Sequence, residues 1–339
     1  MEYSQSGTVS QTASTGTKPG PEFKRLFPEV EEYARTFIGS RVIKGNDKLF
    51  EENRVLFADP AFFRMFSFSL VEGNAENVLD QLDKIAISTS MARKYFGDAP
   101  AINKTLTLGT KDYTVAGIYK DVPQNSQLKF DFVTQFLNIG KNVEQEQWWT
   151  ANWITYFLLK RSADVATFQK HIDGHMNSAA VRKEAGLEGA DYLHYKVEPL
   201  LSVHLHSTQA GFEPNGNIRY IIMFAIIAVL ILIIACANYT NLATAQSAGR
   251  SGEIGMRKVM GASRKQVFFQ FIGESTAITF IAAALGLILS ILLIPQFNEV
   301  TGKHFVTADI LQPLPILLLL SFAVPVSFLA GAYPALVLS

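Results

Sequence analysis

The chain has 339 residues, 48% of them apolar, and a mean hydropathy of +0.16, which is high for a water-soluble protein. Its 30 Lys and Arg balance its 30 Asp and Glu, so it lacks the basic excess of a nucleic-acid binder and charge must be argued locally. The one cysteine, Cys236, excludes an internal disulfide, a cysteine-rich zinc site and a Cys-x-x-Cys redox pair.

Residues 1–20 are rich in Ser, Thr, Gly and Gln, with neither a basic start nor an apolar run, so no signal peptide is expected there. Too polar to bury a core, the segment is expected to be flexible. From 21 to 216 strand-like and helix-like patterns mix. Lys84–Ser88, Lys104–Leu108, Tyr113–Tyr119 and Ile154–Leu159 are branched or aromatic runs bounded by turn formers and are predicted strands. Ser90–Phe96 and Val165–Val181 are predicted helices, the second capped by Asp164. Short mixed elements without a strict repeat predict an α+β domain rather than a doubly wound one.

Little in this domain points to chemistry. His171 and His175 have the i, i+4 spacing of paired metal ligands, but no Glu follows His171 and Gly174 intervenes, which favours a solvated helix face. His204 and His206 alternate along Val203–Ser207 as the polar side of a strand would. Trp148, Trp149 and Trp153 are expected in the core rather than on a ligand platform. The chain has no G-x-S-x-G, no P-loop of the form G-x-x-x-x-G-K-S/T and no H-E-x-x-H, so no catalytic, cofactor or metal residues are expected.

The C-terminal portion carries three long apolar runs, at about 220–237, 275–294 and 314–338, none containing Lys, Arg, Asp or Glu. At ~1.5 Å per helical residue the first two reach roughly 27 and 30 Å, the thickness of a bilayer's hydrocarbon core. Three membrane-spanning helices are predicted, with Pro315, Pro325 and Pro334 expected to kink the last. The connection 238–273 carries Arg250, Arg257, Lys258, Arg264 and Lys265, whereas 295–312 carries only Lys303. Retention of positive residues makes the first connection cytoplasmic and the domain before Tyr220 extracytoplasmic. Export of that domain implies a further membrane helix ahead of it.

Within the cytoplasmic connection, Met256, Val259, Met260 and Val267 fit one face of a helix if the turn at Gly261-Ala262 is small. Ser263-Arg-Lys-Gln266 has capping-box spacing and predicts a second helix start. A basic helix lying on the membrane surface and a helical elbow made to meet a partner both fit this pattern. Glu274, at the boundary of the second span, either bonds across the bundle or stays hydrated at the surface.

Three stretches carry a resemblance: Asn238-Tyr-Thr-Asn-Leu-Ala-Thr-Ala245, Glu253-Ile-Gly-Met-Arg-Lys-Val-Met-Gly-Ala-Ser263 and Gln270-Phe-Ile-Gly-Glu-Ser275. With Ala330-Gly-Ala-Tyr-Pro-Ala335 they resemble the FtsX-like permease domain of MacB-type ABC transporters. Phe27-Pro-Glu-Val30, Ala58-Asp-Pro-Ala-Phe-Phe-Arg-Met-Phe-Ser-Phe68, Ala92-Arg-Lys-Tyr-Phe-Gly97 and Val115-Ala-Gly-Ile-Tyr-Lys-Asp-Val-Pro123 resemble the MacB-like periplasmic core domain.

The resemblance implies a periplasmic core domain over 21–216 and a permease domain over 217–339, in a multi-pass protein of the bacterial inner membrane. It also implies an earlier membrane helix and, in large members, a second copy of the unit, so this chain would be one part of a longer subunit. A separate cytoplasmic ATPase would bind the ATP, leaving this chain without a cofactor. Other implied partners are membrane lipid and a second permease half or homodimer partner, with no nucleic acid. Arg250, Glu253, Ile254, Gly255, Met256, Arg257, Lys258, Val259, Gly261, Ala262 and Ser263 match the segment that meets the ATPase. The implied cargo is a peptide, a lipoprotein or an antimicrobial compound. A membrane-anchored sensor or interaction protein without transport is the alternative.

Overall fold

The computed structural model describes residues 1–339 except 6, 47, 150, 210, 250–251, 253–255, 257–258, 262 and 339, and it divides into two compact units, Met1–Ile218 and Arg219–Ser339. Residues 1–20, expected to be flexible, instead carry the antiparallel pair β1 (Glu2–Gln5) and β2 (Thr8–Gln11), with Tyr3 opposite Ser10 and Ser4 opposite Val9. Gly7, at φ +81°, closes the turn. The reason is that a ladder uses backbone groups, which a polar segment supplies as well as an apolar one, while Tyr3 packs edge-on against Trp149 at 5.6 Å. Thr17 ties the segment down further, its hydroxyl donating to the Gln145 carbonyl and accepting from the Gln147 N–H, both at 2.8 Å. Helix α1 (Pro19–Leu26) follows.

The large sheet is built from β3 (Val30–Gly45), β4 (Lys48–Ala58), β5 (Leu70–Glu72), β6 (Lys84–Ser88), β7 (Thr105–Leu108), β8 (Lys111–Tyr119), β9 (Phe132–Gln135) and β10 (Ile154–Leu159). Its order is β10-β3-β4-β9-β6-β8-β5, with β7 pairing β3 and β8. The pairs β4–β9 and β6–β8 are parallel and the rest antiparallel, the mixed sheet of an α+β domain. Side-chain alternation along β4 sends Val55 and Phe57 into one core, with Ile85, Tyr95 and Phe132. It sends Leu56 and Ala58 into another, with Phe62, Tyr119 and Phe130. Both faces of the sheet are therefore covered.

The short helix α2 (Phe62–Met65) delivers Phe62 and Phe63 to the second core. Helix α3 (Thr89–Phe96) starts where the Ser88 hydroxyl accepts from the Met91 N–H. The helix predicted over 165–181 is two: α4 (Val165–Met176), capped by Asp164, and α5 (Ala179–Glu184), capped by Ser178, whose hydroxyl accepts from the Val181 N–H. Residues around His204 and His206 form helix α6 (Leu200–His206) instead of the expected strand; Pro199 opens it and the Ser202 hydroxyl donates to the Pro199 carbonyl at 2.8 Å. Strand β11 (Tyr192–His194) pairs with β1 and completes a small sheet, β11-β1-β2.

Between these elements Phe23, Trp148, Phe168, Ile172 and Tyr195 form a third core, and Trp153 is buried beside Phe136. The tryptophans thus lie in or against core. The solvated face expected for His171 and His175 holds for His171, which is exposed, stacks on Phe27 and bonds Glu29 at 2.6 Å, but not for His175, which lies among Phe23, Phe27 and Trp148.

Arg35 and Asp59 are buried together. The Arg35 Nε and Nη2 donate to Asp59 Oδ2 and Oδ1, both at 2.8 Å; the Arg35 backbone N–H also donates to Oδ2, and Nη1 reaches the Thr17 carbonyl at 3.1 Å. Phe136 covers the guanidinium, its ring centre 4.3 Å from Cζ. Removing the carboxylate strands a buried cation, so Asp59→Asn is expected to destabilise the domain by about 3–5 kcal/mol. All three tryptophans lie in this unit, so thermal unfolding of the full-length protein followed by tryptophan fluorescence measures the loss.

Burial lowers the His175 pKa below its ordinary value, with the Glu22 carboxylate at 3.7 Å opposing the shift in part. The folded domain therefore holds His175 neutral where the unfolded chain would take a proton. Its contribution is complete above about pH 6.5 and is lost as pH falls below that. The melting temperature is expected to drop between pH 7 and pH 5.5, and His175→Phe to flatten that drop. An unchanged slope in the variant would assign the pH dependence to another group.

The second unit consists of α7 (Ile218–Gly249), α8 (Arg264–Thr301), the short α9 (Thr307–Ile310) and α10 (Pro313–Leu338). Among the described residues α7, α8 and α10 are the three helices long and apolar enough to cross a membrane. Their apolar side chains are mostly exposed in the isolated chain, as lipid-facing residues are. Helix α10 runs through Pro315, Pro325 and Pro334 without interruption.

Candidate functional site

Helix α7 does not end where its apolar run ends. Its 32 residues reach ~48 Å at ~1.5 Å each, well beyond a ~30 Å hydrocarbon core. Asn238–Gly249 is thus helix rather than loop, and with α8 beginning at Arg264 the connection shortens to 250–263. Of the residues expected to meet a partner there, Met256, Val259, Gly261 and Ser263 are described; Arg250, Glu253, Ile254, Gly255, Arg257, Lys258 and Ala262 lie outside the described residues.

Met256 and Val259 are helical, and the Met260 N–H donates to the Met256 carbonyl at 3.0 Å. The turn follows at Gly261, whose φ of +96° a side-chain-bearing residue would adopt only with strain. Ser263 then restarts the helix. Its N–H donates to Gln266 Oε1 at 2.8 Å while its hydroxyl accepts from the Gln266 N–H at 3.4 Å, a reciprocal capping box. Met256, Val259 and Met260 share the exposed side of this elbow, Val259 with 89% of its surface open. Val267 is buried, so the apolar stripe stops at the turn rather than continuing into α8. Arg264 and Lys265 are exposed in the first turn of α8, where the helix dipole disfavours cations; their placement answers to something other than helix stability.

A second cluster was not legible in the sequence. Ser275 of α8, only 3% exposed, pairs its hydroxyl with that of Tyr239 of α7 at 2.9 Å. The Thr240 hydroxyl donates to the Ala330 carbonyl of α10 at 3.3 Å, and the hydroxyls of Thr276 and Ser327 are 3.4 Å apart. A Cβ on Gly331 would sit 2.6 Å from Ser275 Oγ, so α8 and α10 touch there because one residue has no side chain. Tyr239, Ser275, Ala330 and Gly331 come from three of the stretches quoted above. The signal that could have found the cluster is small and hydroxyl residues in apolar spans. Glu274, next to Ser275, is exposed and accepts from Gln270 Nε2 at 3.2 Å, one helical turn away.

Gly331→Ala is expected to lower the melting temperature of the membrane helices, read as loss of helical ellipticity in detergent. Ser275→Gly in the same chain should restore part of it, because the clashing atoms are then gone. Ser275→Ala alone should cost only about 0.6 kcal/mol, the typical worth of a hydrogen bond between membrane helices.

Two family models match this chain: the MacB-like periplasmic core domain over residues 2–174 and the FtsX-like permease C-terminal domain over residues 225–339. The uncharacterized ABC transporter permease YvrN of Bacillus subtilis is 23% identical over 248 residues, covering 69% of this chain and 56% of that protein. The macrolide export ATP-binding/permease protein MacB of Bdellovibrio bacteriovorus is 22% identical over 283 residues, covering 81% and 39%. The crystal structure of a permease domain from Porphyromonas gingivalis superposes with a TM-score of 0.47 at 21% identity, covering 59% of this chain and 91% of that one. The chain thus spans about half or less of the length of these two curated relatives.

Proposed function

The chain belongs to the ABC transporter permeases of the MacB/FtsX type, and on that premise we propose that it couples a separate cytoplasmic ATPase to its outer domain. The work would be export or extraction of a peptide, lipoprotein or antimicrobial-type substrate. In this reading the protein is a multi-pass inner-membrane subunit surrounded by lipid, its N-terminal domain lies outside the cytoplasm, and a second permease half or another copy completes the membrane path. The ATPase binds and hydrolyses ATP; this chain carries force.

The observation that carries the reading is the elbow. One rigid helix leaves the apolar run and continues to Gly249, and a second begins at a capped Ser263 after a left-handed turn at Gly261. A displacement applied at 250–263 enters both helices at once, since neither has a flexible joint between the elbow and its span. The exposed Met256, Val259 and Met260 offer apolar contact surface. The basic residues around them retain the connection on the cytoplasmic side and supply charge for an acidic partner. The seam at Ser275 ties α7, α8 and α10 together where the motion would enter the membrane.

Charge reversal tests this. Arg257→Glu with Lys258→Glu in the full-length protein is expected to cut co-purification of the ATPases encoded beside it at least tenfold, with expression and membrane insertion unchanged. A complex that survives reversal, or none in the unaltered protein, overturns the coupling reading and favours a membrane-anchored sensor.

A further inference from the structure

Strand β10 ends the large sheet, and one of its edges has almost nothing on it. Trp153 exchanges backbone hydrogen bonds with Thr15, so its N–H and carbonyl point away from β3. Strand alternation then turns the backbone groups of Thr155 and Phe157 the same way, while Ile154, Tyr156 and Leu158 face β3. The Lys160 N–H agrees in parity, donating to the Glu29 carbonyl on the β3 side. Among the described residues no backbone partner meets the outward groups of Thr155 and Phe157. The N-terminal segment that pairs at Thr15 holds Thr155 by a hydroxyl contact of 2.6 Å and then leaves the edge to form β2.

Where it leaves, a cavity of about 990 Å³ opens, at the upper end of the ~300–1,000 Å³ usual for ligand sites. All six residues of β10 line it in unbroken succession, which a sheet face, contributing every second residue, would not do. Phe66, Val197, Leu200, Val203 and Phe212 supply apolar lining, and Glu2, Gln11, Lys196 and Glu198 supply polar and charged lining. Ile-Thr-Tyr-Phe-Leu-Leu has neither charge nor proline, the usual protections of an edge against strand addition. The outward backbone groups of β10 are spaced along a line at strand repeat, which an extended chain can match.

We propose that this cleft binds an extended segment of a partner polypeptide, which adds to the large sheet beside β10 by pairing with the outward backbone groups of Thr155 and Phe157. The backbone supplies affinity in any sequence, and the apolar part of the lining favours segments with apolar residues at alternate positions. The six residues of β10 extend ~20 Å, so the bound stretch is about four to six residues long. The proposal concerns the outer domain alone and does not depend on coupling to an ATPase.

The test uses the full-length protein in detergent and a fluorescein-labelled pool of eight-residue peptides alternating apolar and polar residues. Saturable binding is expected, with slowed amide exchange over residues 153–160 by mass spectrometry. The same pool N-methylated at alternate backbone nitrogens should bind at least tenfold more weakly, its side chains being unchanged. Thr155→Pro should weaken binding comparably, since its side chain belongs to no core and proline is tolerated on an edge strand where its nitrogen faces outward. Equal binding of the N-methylated pool, protection confined to other segments, or no saturable binding would each overturn the proposal. The N-methyl comparison needs no protein variant, and neither readout involves the ATPase.

Discussion

A guanidinium buried against a carboxylate holds the outer domain's longest strand in register. Arg35 stands on β3 and Asp59 directly after β4, and the same guanidinium reaches the Thr17 carbonyl, so one cation joins the two principal strands to the N-terminal segment. Buried charge is costly unless each donor and acceptor is satisfied, and here the carboxylate accepts three hydrogen bonds. Around Val55–Ala58 the sheet is covered by apolar cores on both faces, so side-chain polarity there does little to fix the register. A charge pair that fits only one register removes that freedom. The position of β10, and with it the open edge that faces the cavity, follows from β3.

The membrane helices obey a different rule. Between helices in lipid, apolar side chains gain little by meeting, since lipid is as apolar as leucine, and contact must come from close packing and hydrogen bonds. Gly331 and Ser275 provide both, one by having no side chain and the other by bonding Tyr239. The cluster therefore uses small polar residues where the outer domain uses phenylalanines. Above it α7 and α8 stay helical into the elbow, where Gly261 and the Ser263 capping box set the turn.

Much of the permease domain was legible because membrane insertion leaves a strong imprint on composition. Apolar length marks the spans, positive residues mark the connection between the first two, and the Ser263–Gln266 spacing marks a helix start. The outer domain was less legible. Lys84–Ser88 and Ile154–Leu159 are short apolar runs and match their strands, but β3 and β4 were missed: they pair with each other as neighbours along the chain, yet charged residues such as Arg41, Lys44, Glu51 and Glu52 break up the apolar pattern where they do so. Polar residues 1–20 pair through backbone groups that no side-chain pattern reveals. His204 and His206 alternate as a strand would, yet Pro199 and the Ser202 side chain set a helix.

By itself the sequence determined the division into an α+β N-terminal domain and long apolar helices, the family, and the turn chemistry of the elbow. These depend on local composition, hydrophobic length and residue spacing, which are properties of neighbours along the chain. Only the tertiary structure decided that Arg35 would meet Asp59, that Ser275, Tyr239 and Gly331 would share one contact, and that β10 would keep an open edge beside a cavity. Those outcomes depend on which backbone groups and side chains remain unpaired after distant segments have packed, and that remainder exists only once the whole domain is folded.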